Sequence, residues 1–163
     1  MAGKIDPLNK KHYGAVSAVL TVKDLKTAVD FYKKAFGFTE RSMMNGPDGK
    51  PMHADLVLRD TTLMLSPENM ERNVRSAKTI GGSPVTMYLT AEDVDATVAK
   101  AVKLGASANG PVMDMFWGDR VGNVIDPDGY AWMVATHTAE PTPQEMKKKM
   151  AEQMRPQSAG GME

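Results

Sequence analysis

The sequence predicts an α+β fold made of two βαβββ modules and a C-terminal helix. Strand-length runs rich in β-branched residues alternate with segments of helical periodicity, and turn-forming residues separate them. The order of these elements repeats, because "LTVKDL", beginning at residue 20, aligns with "LTAEDV", beginning at residue 89, an offset of 69 residues. We therefore expect each half of the chain to contain a strand, a helix and then several strands.

The first module begins with the strand-like run "AVSAVLTV" and continues into a predicted helix. Asp24 stands where an N-cap residue belongs, and Gly37 stands where a C′ glycine would end the helix. Between them, one apolar stripe is formed by Leu25, Ala28, Val29, Tyr32 and Phe36. Farther on, "MHADLVL" and "TTLML" are separated by Arg59 and Asp60, which is typical of a β-hairpin.

The second module repeats this order. After the strand-like "TMYLT", Asp93 is the candidate N-cap of a helix that ends near Gly105. Its inward positions are predicted to be Val94, Val98, Ala101 and Val102. The turn "DPDG" at residues 126–129 then leads into the strand "YAWMVATH", because Pro presets φ and Gly permits positive φ.

These elements divide the chain into an extension, one domain and a tail. The segment between the modules lacks periodicity, so we expect a linker or a loop over a pocket. Pro143 is suited to begin a Lys-rich helix in the tail. The predicted divisions are an N-terminal extension at 1–13, a single domain at 14–138 with modules at about 14–66 and 83–137, a loop at 67–82, and a C-terminal helix and tail at 139–163.

Composition excludes several kinds of partner and chemistry. Of the 163 residues, 20 are basic and 20 are acidic, so there is no net charge to attract nucleic acid or anionic lipid. The absence of cysteine excludes disulfides, thiolate nucleophiles and Cys-ligated clusters. Neither a signal-peptide pattern nor an apolar run of about 20 residues is present. We expect a cytoplasmic protein with no nucleic-acid or membrane partner.

Two phrases, "LTVKDLKTAVDFYKKAFGF" and "FWGDRVGNVIDPDGYAW", within paired βαβββ modules resemble the vicinal oxygen chelate superfamily, which includes glyoxalases, bleomycin-resistance proteins and dioxygenases. The resemblance is strongest to its PhnB-like branch and covers about residues 14–150. It implies that the modules form a curved, mostly antiparallel sheet that cups a ligand, and that two chains pair as a homodimer. It also implies a divalent metal held by four inward side chains in the enzymes of the superfamily.

The metal site implied by this resemblance lacks most of the side chains that could bind a metal. The four corresponding positions hold Ser17, Asp55, Thr86 and Met133, of which only Asp55 is a credible ligand. We therefore expect no metal and no other cofactor. Strand alternation places His53 on the same face as Asp55. Three roles are open for this pair: two metal ligands if a metal binds, a proton-transfer dyad, or an ordinary polar contact.

Several other side chains are candidates for ligand binding. Phe116 and Trp117 are adjacent, and in an extended chain they would face opposite ways, with one available to stack on a planar ligand. Arg120 is either an anchor for an anion or a partner of Asp119 or the hairpin. Catalytic residues are not predicted, and the predicted ligand-binding set is His53, Asp55, Tyr88, Phe116, Trp117, Arg120 and Met133.

Three functions are compatible with this sequence. The favoured one is metal-independent binding of a small organic molecule, including aromatic or antibiotic-like compounds, in a mainly apolar cup. The alternative is a divalent-metal-dependent lyase, isomerase or dioxygenase of the glyoxalase type. The third is a structural or regulatory homodimer that has no ligand and fills the cup with its own side chains.

Overall fold

A computed structural model describes residues 5–154. Each module contributes a strand, a helix and further strands, as the repeat predicts. The elements are β1 (Ala18–Val22), α1 (Leu25–Phe36), β2 (Thr39–Asn45), β3 (Pro51–Leu58), β4 (Thr61–Pro67), α2 (Ala77–Ile80), β5 (Thr86–Thr90), α3 (Val94–Lys103), β6 (Ser107–Ala108), β7 (Met113–Asp114), β8 (Asp119–Ile125), β9 (Ala131–His137) and α4 (Pro143–Gln153).

Each module forms its own sheet. The first has the strand order β1-β4-β3-β2, and the second has the order β5-β9-β8-β6, with β7 also paired to β8. The first strand of each module runs parallel to its neighbour, β4 or β9, and the remaining pairs are antiparallel. The predicted α+β class, with mostly antiparallel sheets and a C-terminal helix, is confirmed.

The helices α1 and α3 cover one face of the sheets. Both predicted N-caps are present, since the carboxylates of Asp24 and Asp93 accept hydrogen bonds from backbone N–H groups in the first turn. Gly37 ends α1 at φ 80°, a left-handed conformation that glycine adopts without strain. The opposite face, which we call the open face, carries alternate strand residues such as Val19, whose exposed fraction is 57%.

The two modules share one core. Phe36 and Trp132, which come from different modules, have ring centroids 4.8 Å apart. The buried Asp126 carboxylate accepts hydrogen bonds from the Tyr32 hydroxyl at 2.6 Å and from Trp132 Nε1 at 2.8 Å. Burial raises the pKa of Asp126, and these donors oppose that shift. This bonding fixes α1 of the first module to the β8–β9 turn of the second.

The hairpin turns also reach the first strand of the other module. Tyr130 Oη accepts a hydrogen bond from the Thr21 N–H and donates one to the Thr21 carbonyl. In the reciprocal contact, the Arg59 guanidinium donates to the carbonyl of Thr90 at 2.7 Å. The free edges of β1 and β5 therefore face the neighbouring module and are bridged by side chains.

The segment between the modules differs from the aperiodic loop expected from the sequence. It contains α2, whose N-cap is the fully buried Ser76. Glu68 accepts hydrogen bonds from the Ser76 N–H and from the Thr79 hydroxyl, and Lys78 N–H donates to the carbonyl of Asp128 at 2.7 Å. The segment is thus anchored to the second module by backbone and side-chain bonds that leave no periodic sequence pattern.

The C-terminal helix α4 begins at Pro143, as predicted. Thr142 and Glu145 form a capping box, in which each side chain bonds the backbone N–H of the other residue. The predicted tail beyond residue 154 and the first four residues of the predicted extension lie outside the described residues. Among the described residues, no helix combines the length and apolar character that a membrane crossing requires.

Candidate functional site

A buried carboxylate, Asp55, lies at the centre of the open face of the first sheet. Its Oδ2 accepts hydrogen bonds from the Tyr13 hydroxyl at 3.0 Å, from Arg41 at 3.2 Å and from Ser42 Oγ at 3.3 Å. Its Oδ1 lies 2.9 Å from His53 Nε2. Both carboxylate oxygens are therefore bonded, and only 9% of the side chain is exposed.

These donors come from three separate parts of the chain. His53 lies on β3 with Asp55, and Arg41 and Ser42 lie on β2 next to a register shift between Glu40 and Ser42. Tyr13 precedes β1, in the segment that the sequence assigned to an extension outside the domain. That segment therefore packs on the open face of the first sheet.

The pKa of Asp55 lies below its ordinary value. Burial alone would raise the pKa of this carboxyl, but the hydrogen bonds from His53, Tyr13 and Arg41 outweigh that effect. Asp55 is therefore an ionised, satisfied carboxylate at neutral pH. The predicted His53–Asp55 contact is formed, and it belongs to a larger network.

A second carboxylate, Asp119, lies on the open face of the second sheet. Its Oδ2 accepts hydrogen bonds from the Tyr88 hydroxyl at 2.7 Å and from Trp117 Nε1 at 2.9 Å. Its Oδ1 lies 2.8 Å from His137 Nδ1, whose other ring nitrogen lies 2.9 Å from Glu140. Tyr88 and His137 are each more than half exposed, so this cluster is open to solvent.

The electrostatics of this cluster follow from its contacts. Hydrogen bonds from Tyr88 and His137 lower the pKa of Asp119. Burial and the bond to Asp119 raise the pKa of Tyr88 to about 12, so its proton stays on the phenol. Hydrogen bonds to Asp119 and Glu140 raise the pKa of His137, which favours the imidazolium.

A groove of about 620 Å³ lies between the two modules, beside the facing edges of β1 and β5. Buried core side chains form part of its lining, and polar groups lie around them. The buried members are Phe38, Leu63, Leu89 and Trp132; the hydroxyl groups are those of Ser17, Thr61, Thr62, Tyr88 and Thr90; the charged side chains are Arg59 and Asp60. Tyr88 therefore belongs both to the groove and to the Asp119 cluster.

The aromatic pair of residues 116 and 117 does not adopt the extended conformation assumed from the sequence. A turn brings the Gly118 N–H to the Met115 carbonyl at 3.0 Å, and Gly118 has φ 102°. The rings of Phe116 and Trp117 contact each other edge to face at 4.9 Å. Trp117 therefore joins the Asp119 cluster, while Phe116 lines a separate cavity with Lys149 and Gln153 of the α4 region.

Arg120 does not pair with Asp119. Its guanidinium forms a bidentate contact with Asp95 of α3, at 2.7 and 3.0 Å, and a further contact with Asp114 at 3.2 Å. These contacts raise the pKa of Arg120 and lower that of Asp95. Strand alternation explains the difference, because Arg120 is on the helix-covered face of β8 and its neighbour Asp119 is on the open face. Met133, also on the open face, is opposite Tyr88 and Asn123 in the second sheet.

The residues present do not fit the divalent metal site that the resemblance implies. Asp55 is the one carboxylate among the four corresponding positions, and both of its oxygens are already occupied by hydrogen bonds. The other three positions offer only the hydroxyls of Ser17 and Thr86 and the thioether of Met133. Among residues 5–154, no group of three or more His, Asp or Glu side chains is arranged to hold a metal ion.

Residues 12–134 match the family described as the glyoxalase/bleomycin resistance protein/dioxygenase superfamily. The chain belongs to this superfamily. Membership confirms the fold expected from the two sequence phrases and suggests that this glyoxalase-superfamily protein binds a small molecule.

Similar proteins span most of the chain. An uncharacterised protein of Mycobacterium bovis is 38% identical over 142 residues, which are 85% of this chain and 93% of that protein. Among solved structures, a gene product of Arabidopsis thaliana has a TM-score of 0.61 and 28% identity, covering 76% of this chain and 98% of that chain. TioX from Micromonospora has a TM-score of 0.58 and 26% identity, covering 76% and 99%.

A fosfomycin resistance protein, FosX from Listeria monocytogenes, has a structure in complex with Mn(II) and a dihydroxypropylphosphonic acid. Its TM-score is 0.58, its identity is 16%, and the match covers 83% of this chain and 97% of that chain. At this identity, the comparison supports the fold alone.

Sequence reasoning missed the Asp119–His137 contact and the role of Tyr13. The first could have been found, because pairing β8 with β9 across the "DPDG" turn places Asp119 opposite His137. Tyr13 gave no comparable signal, since it lies outside any periodic element and its partner is 42 residues away. Arg41 was hidden by the bulge, which interrupts strand alternation.

Proposed function

We propose that this protein binds a small, neutral and largely apolar organic molecule in the groove between its modules, and that binding requires no metal. The groove is concave, lined in part by buried aromatic and aliphatic side chains, and large enough for a molecule of one to three rings. Burial of apolar ligand surface supplies the affinity at such a site, and a few polar groups supply orientation.

The polar groups of the groove favour a ligand with one or two hydrogen-bonding atoms. Ser17 offers a hydroxyl group that can donate to a carbonyl or ether oxygen. Tyr88 differs, because its hydroxyl proton is directed to Asp119 and its oxygen is left as an acceptor. A planar molecule that packs near Trp132 and carries one carbonyl group matches this lining.

The single observation that carries the metal-independent part of the proposal is the saturation of Asp55. A metal ion at this position would have to displace hydrogen bonds from Tyr13, Arg41 or Ser42 and would approach a guanidinium only 3.2 Å from the carboxylate. A metal bound to this carboxylate would lie close to the Arg41 guanidinium, and the two cations would repel each other. Assignment to the PhnB-like branch is part of the same proposal and is supported by the two sequence phrases of the modules.

Ligand binding in the groove can be tested with a small probe molecule and with a variant whose larger side chain blocks the groove. Coumarin, a planar neutral lactone, serves as the probe, and quenching of Trp132 fluorescence in a Trp117→Phe background serves as the readout, because Trp132 lines the groove. We expect saturable quenching in the presence of a chelator. Ser17→Phe, which places a ring in the groove, should weaken binding about tenfold or more, which corresponds to about 1.4 kcal/mol.

Val19→Phe is the matched control for this experiment. Val19 lies on the open face of β1, two residues after Ser17, which directly precedes that strand, and Val19 does not line the groove. We expect Val19→Phe to bind coumarin as the parent does. Equal binding by both variants, or quenching that appears only after addition of a divalent cation, would argue against the proposal.

A further inference from the structure

The N-terminal segment (residues 5–16) occupies the open face of the first module in the manner of a bound ligand. The segment is not a strand of the sheet, and its own turns are held by local bonds such as Tyr13 N–H to the Asn9 carbonyl. Two of its groups contact the sheet through side chains of β2, β3 and β4. These groups are the side chain of Tyr13 and the backbone carbonyl of His12.

Tyr13 and the His12 carbonyl satisfy a defined set of donors and acceptors. The Tyr13 hydroxyl donates to Asp55 at 3.0 Å, and its ring lies 4.9 Å from the Arg41 guanidinium carbon, a cation–π contact. The His12 carbonyl accepts hydrogen bonds from Arg41 at 2.7 Å and from Thr62 Oγ1 at 2.9 Å. Thr62 and Asp55 are both less than a tenth exposed, whereas the contact between Arg41 and the His12 carbonyl lies at the surface.

The sheet therefore presents one anionic acceptor, two donors and the face of a planar cation at fixed positions. A complementary molecule needs an aromatic ring for the guanidinium, a hydroxyl on that ring for the carboxylate, and a carbonyl group for Arg41 and Thr62. A phenol that also carries an amide or ketone carbonyl meets all three conditions. Neither a purely apolar molecule nor an anion meets them, because Asp55 would be left without its donor or would repel the anion.

We infer that the open face of the first module is a second binding site, specific for phenols that carry a carbonyl group, and that Tyr13 is its resident intramolecular ligand. The site is separate from the proposed function of the groove, although Thr62 borders both. Because the segment is tethered close by, its effective concentration is in the millimolar range, so an external phenol binds the wild-type protein weakly. Displacement of the segment would expose Asp55 and Arg41.

N-acetyl-L-tyrosinamide is the probe that tests this inference, since its acetyl carbonyl and phenol reproduce the His12 carbonyl and the Tyr13 side chain. Full-length Tyr13→Ala is titrated with it, and amide chemical shifts are followed by NMR. We expect binding at least about tenfold tighter than to wild type, with shifts centred on residues 41, 55 and 62. The control probe, N-acetyl-L-phenylalaninamide, lacks the hydroxyl and should bind about tenfold more weakly than the tyrosine compound.

Further variants separate a binding site from a merely structural contact. Adding Asp55→Asn to Tyr13→Ala should remove most of the preference for the phenol, because the anionic acceptor is lost. Adding Ser17→Phe should leave N-acetyl-L-tyrosinamide binding unchanged, which distinguishes this site from the groove. If Tyr13→Ala fails to fold, Tyr13→Phe keeps the ring, weakens the segment's attachment and should still bind the probe more tightly than wild type.

The inference is overturned if folded Tyr13→Ala, or Tyr13→Phe in its place, binds the tyrosine and phenylalanine compounds equally. It is also overturned if neither compound binds at about 10 mM, a concentration above the millimolar effective concentration of the tethered segment. Amide chemical-shift changes centred on the groove rather than on Asp55 would also overturn the inference.

Discussion

Each module holds one ionised aspartate on its open face, but the two aspartates differ in how far the rest of the chain shields them from solvent. Asp55 in the first module is 9% exposed at its side chain and is covered by the N-terminal segment. Asp119 in the second module is 16% exposed, and its partners Tyr88 and His137 are themselves more than half exposed. The first site is closed by the protein itself, while the second is open to water.

This difference shows how one repeated scaffold provides two chemical environments. At Asp55, an arginine supplies a permanent positive charge, so the charge of the carboxylate is balanced throughout the range around pH 7. At Asp119, the corresponding charge comes from a histidine that can lose its proton. We therefore expect substitutions at the first site to cause the larger loss of folding stability, and we expect the second site to respond to pH.

The largest difference between the two sites should be in how much folding stability is lost when the charge of the aspartate is removed. Asp55→Asn leaves Arg41 and the Tyr13 hydroxyl without their anionic partner in a nearly buried position, and should lower the free energy of unfolding by about 2 to 3 kcal/mol. Asp119→Asn should cost about 1 kcal/mol, because its exposed partners can bond to water instead. Urea denaturation of both variants measures the difference. Equal losses would contradict the contrast between a closed and an open site.

A smaller difference should separate the two tyrosines that donate to these aspartates. Tyr13→Phe removes a hydrogen bond to a buried carboxylate and should cost about 1 kcal/mol. Tyr88→Phe removes a shorter bond at an exposed position and should cost about 0.5 kcal/mol or less. The same urea experiment applies, and the amides of residues 12 and 13 should exchange with deuterium faster in Tyr13→Phe only. A larger cost for Tyr88→Phe would reverse the ranking of the sites.

The smallest effect should be a dependence of stability on pH near and above neutrality, which arises at His137 in the second module. Asp119 and Glu140 raise the pKa of His137 above its ordinary value of 6.5. The stabilisation from these contacts is therefore complete below pH 6.5 and is lost as the pH rises through the raised pKa. The difference in Tm between wild type and His137→Gln should shrink between about pH 6 and about pH 9. A difference that stays constant or grows over this range would contradict the assignment.

The pKa of Asp55 is lowered, so the sign is opposite at the first site. Its stabilisation is present above its ordinary pKa of 3.8 and is lost only as the pH falls through the lowered value. Acid below about pH 4 should therefore weaken the contacts of the N-terminal segment, whereas alkali weakens those of His137.

The sequence predicted the scaffold well because caps, periodicity and turns are local signals. Asp24, Gly37 and the Arg59–Asp60 turn each act through neighbouring residues, and all are found where the pattern placed them. The His53–Asp55 contact was also predictable, since strand alternation alone puts the two side chains on one face.

The surroundings of the candidate site could not be predicted in the same way. Whether Asp55 is free or saturated depends on Tyr13, which is distant in sequence and lies outside any regular element. Arg120 was assigned to the cup because its partner, Asp95, is on a helix 25 residues away. Such contacts depend on how elements pack, and a single sequence carries no signal for that packing.

The claim that the carboxylate of the first module is committed to internal donors has a direct test by paramagnetic NMR. One equivalent of Mn²⁺ is added to chelator-treated full-length protein, and broadening of the amide signals of residues 54–56 is measured. We predict no broadening centred on Asp55, with wild type and Asp55→Asn giving the same pattern. Selective broadening around Asp55 at one equivalent, abolished by Asp55→Asn, would show that the carboxylate is available to a metal and is not committed to its internal donors.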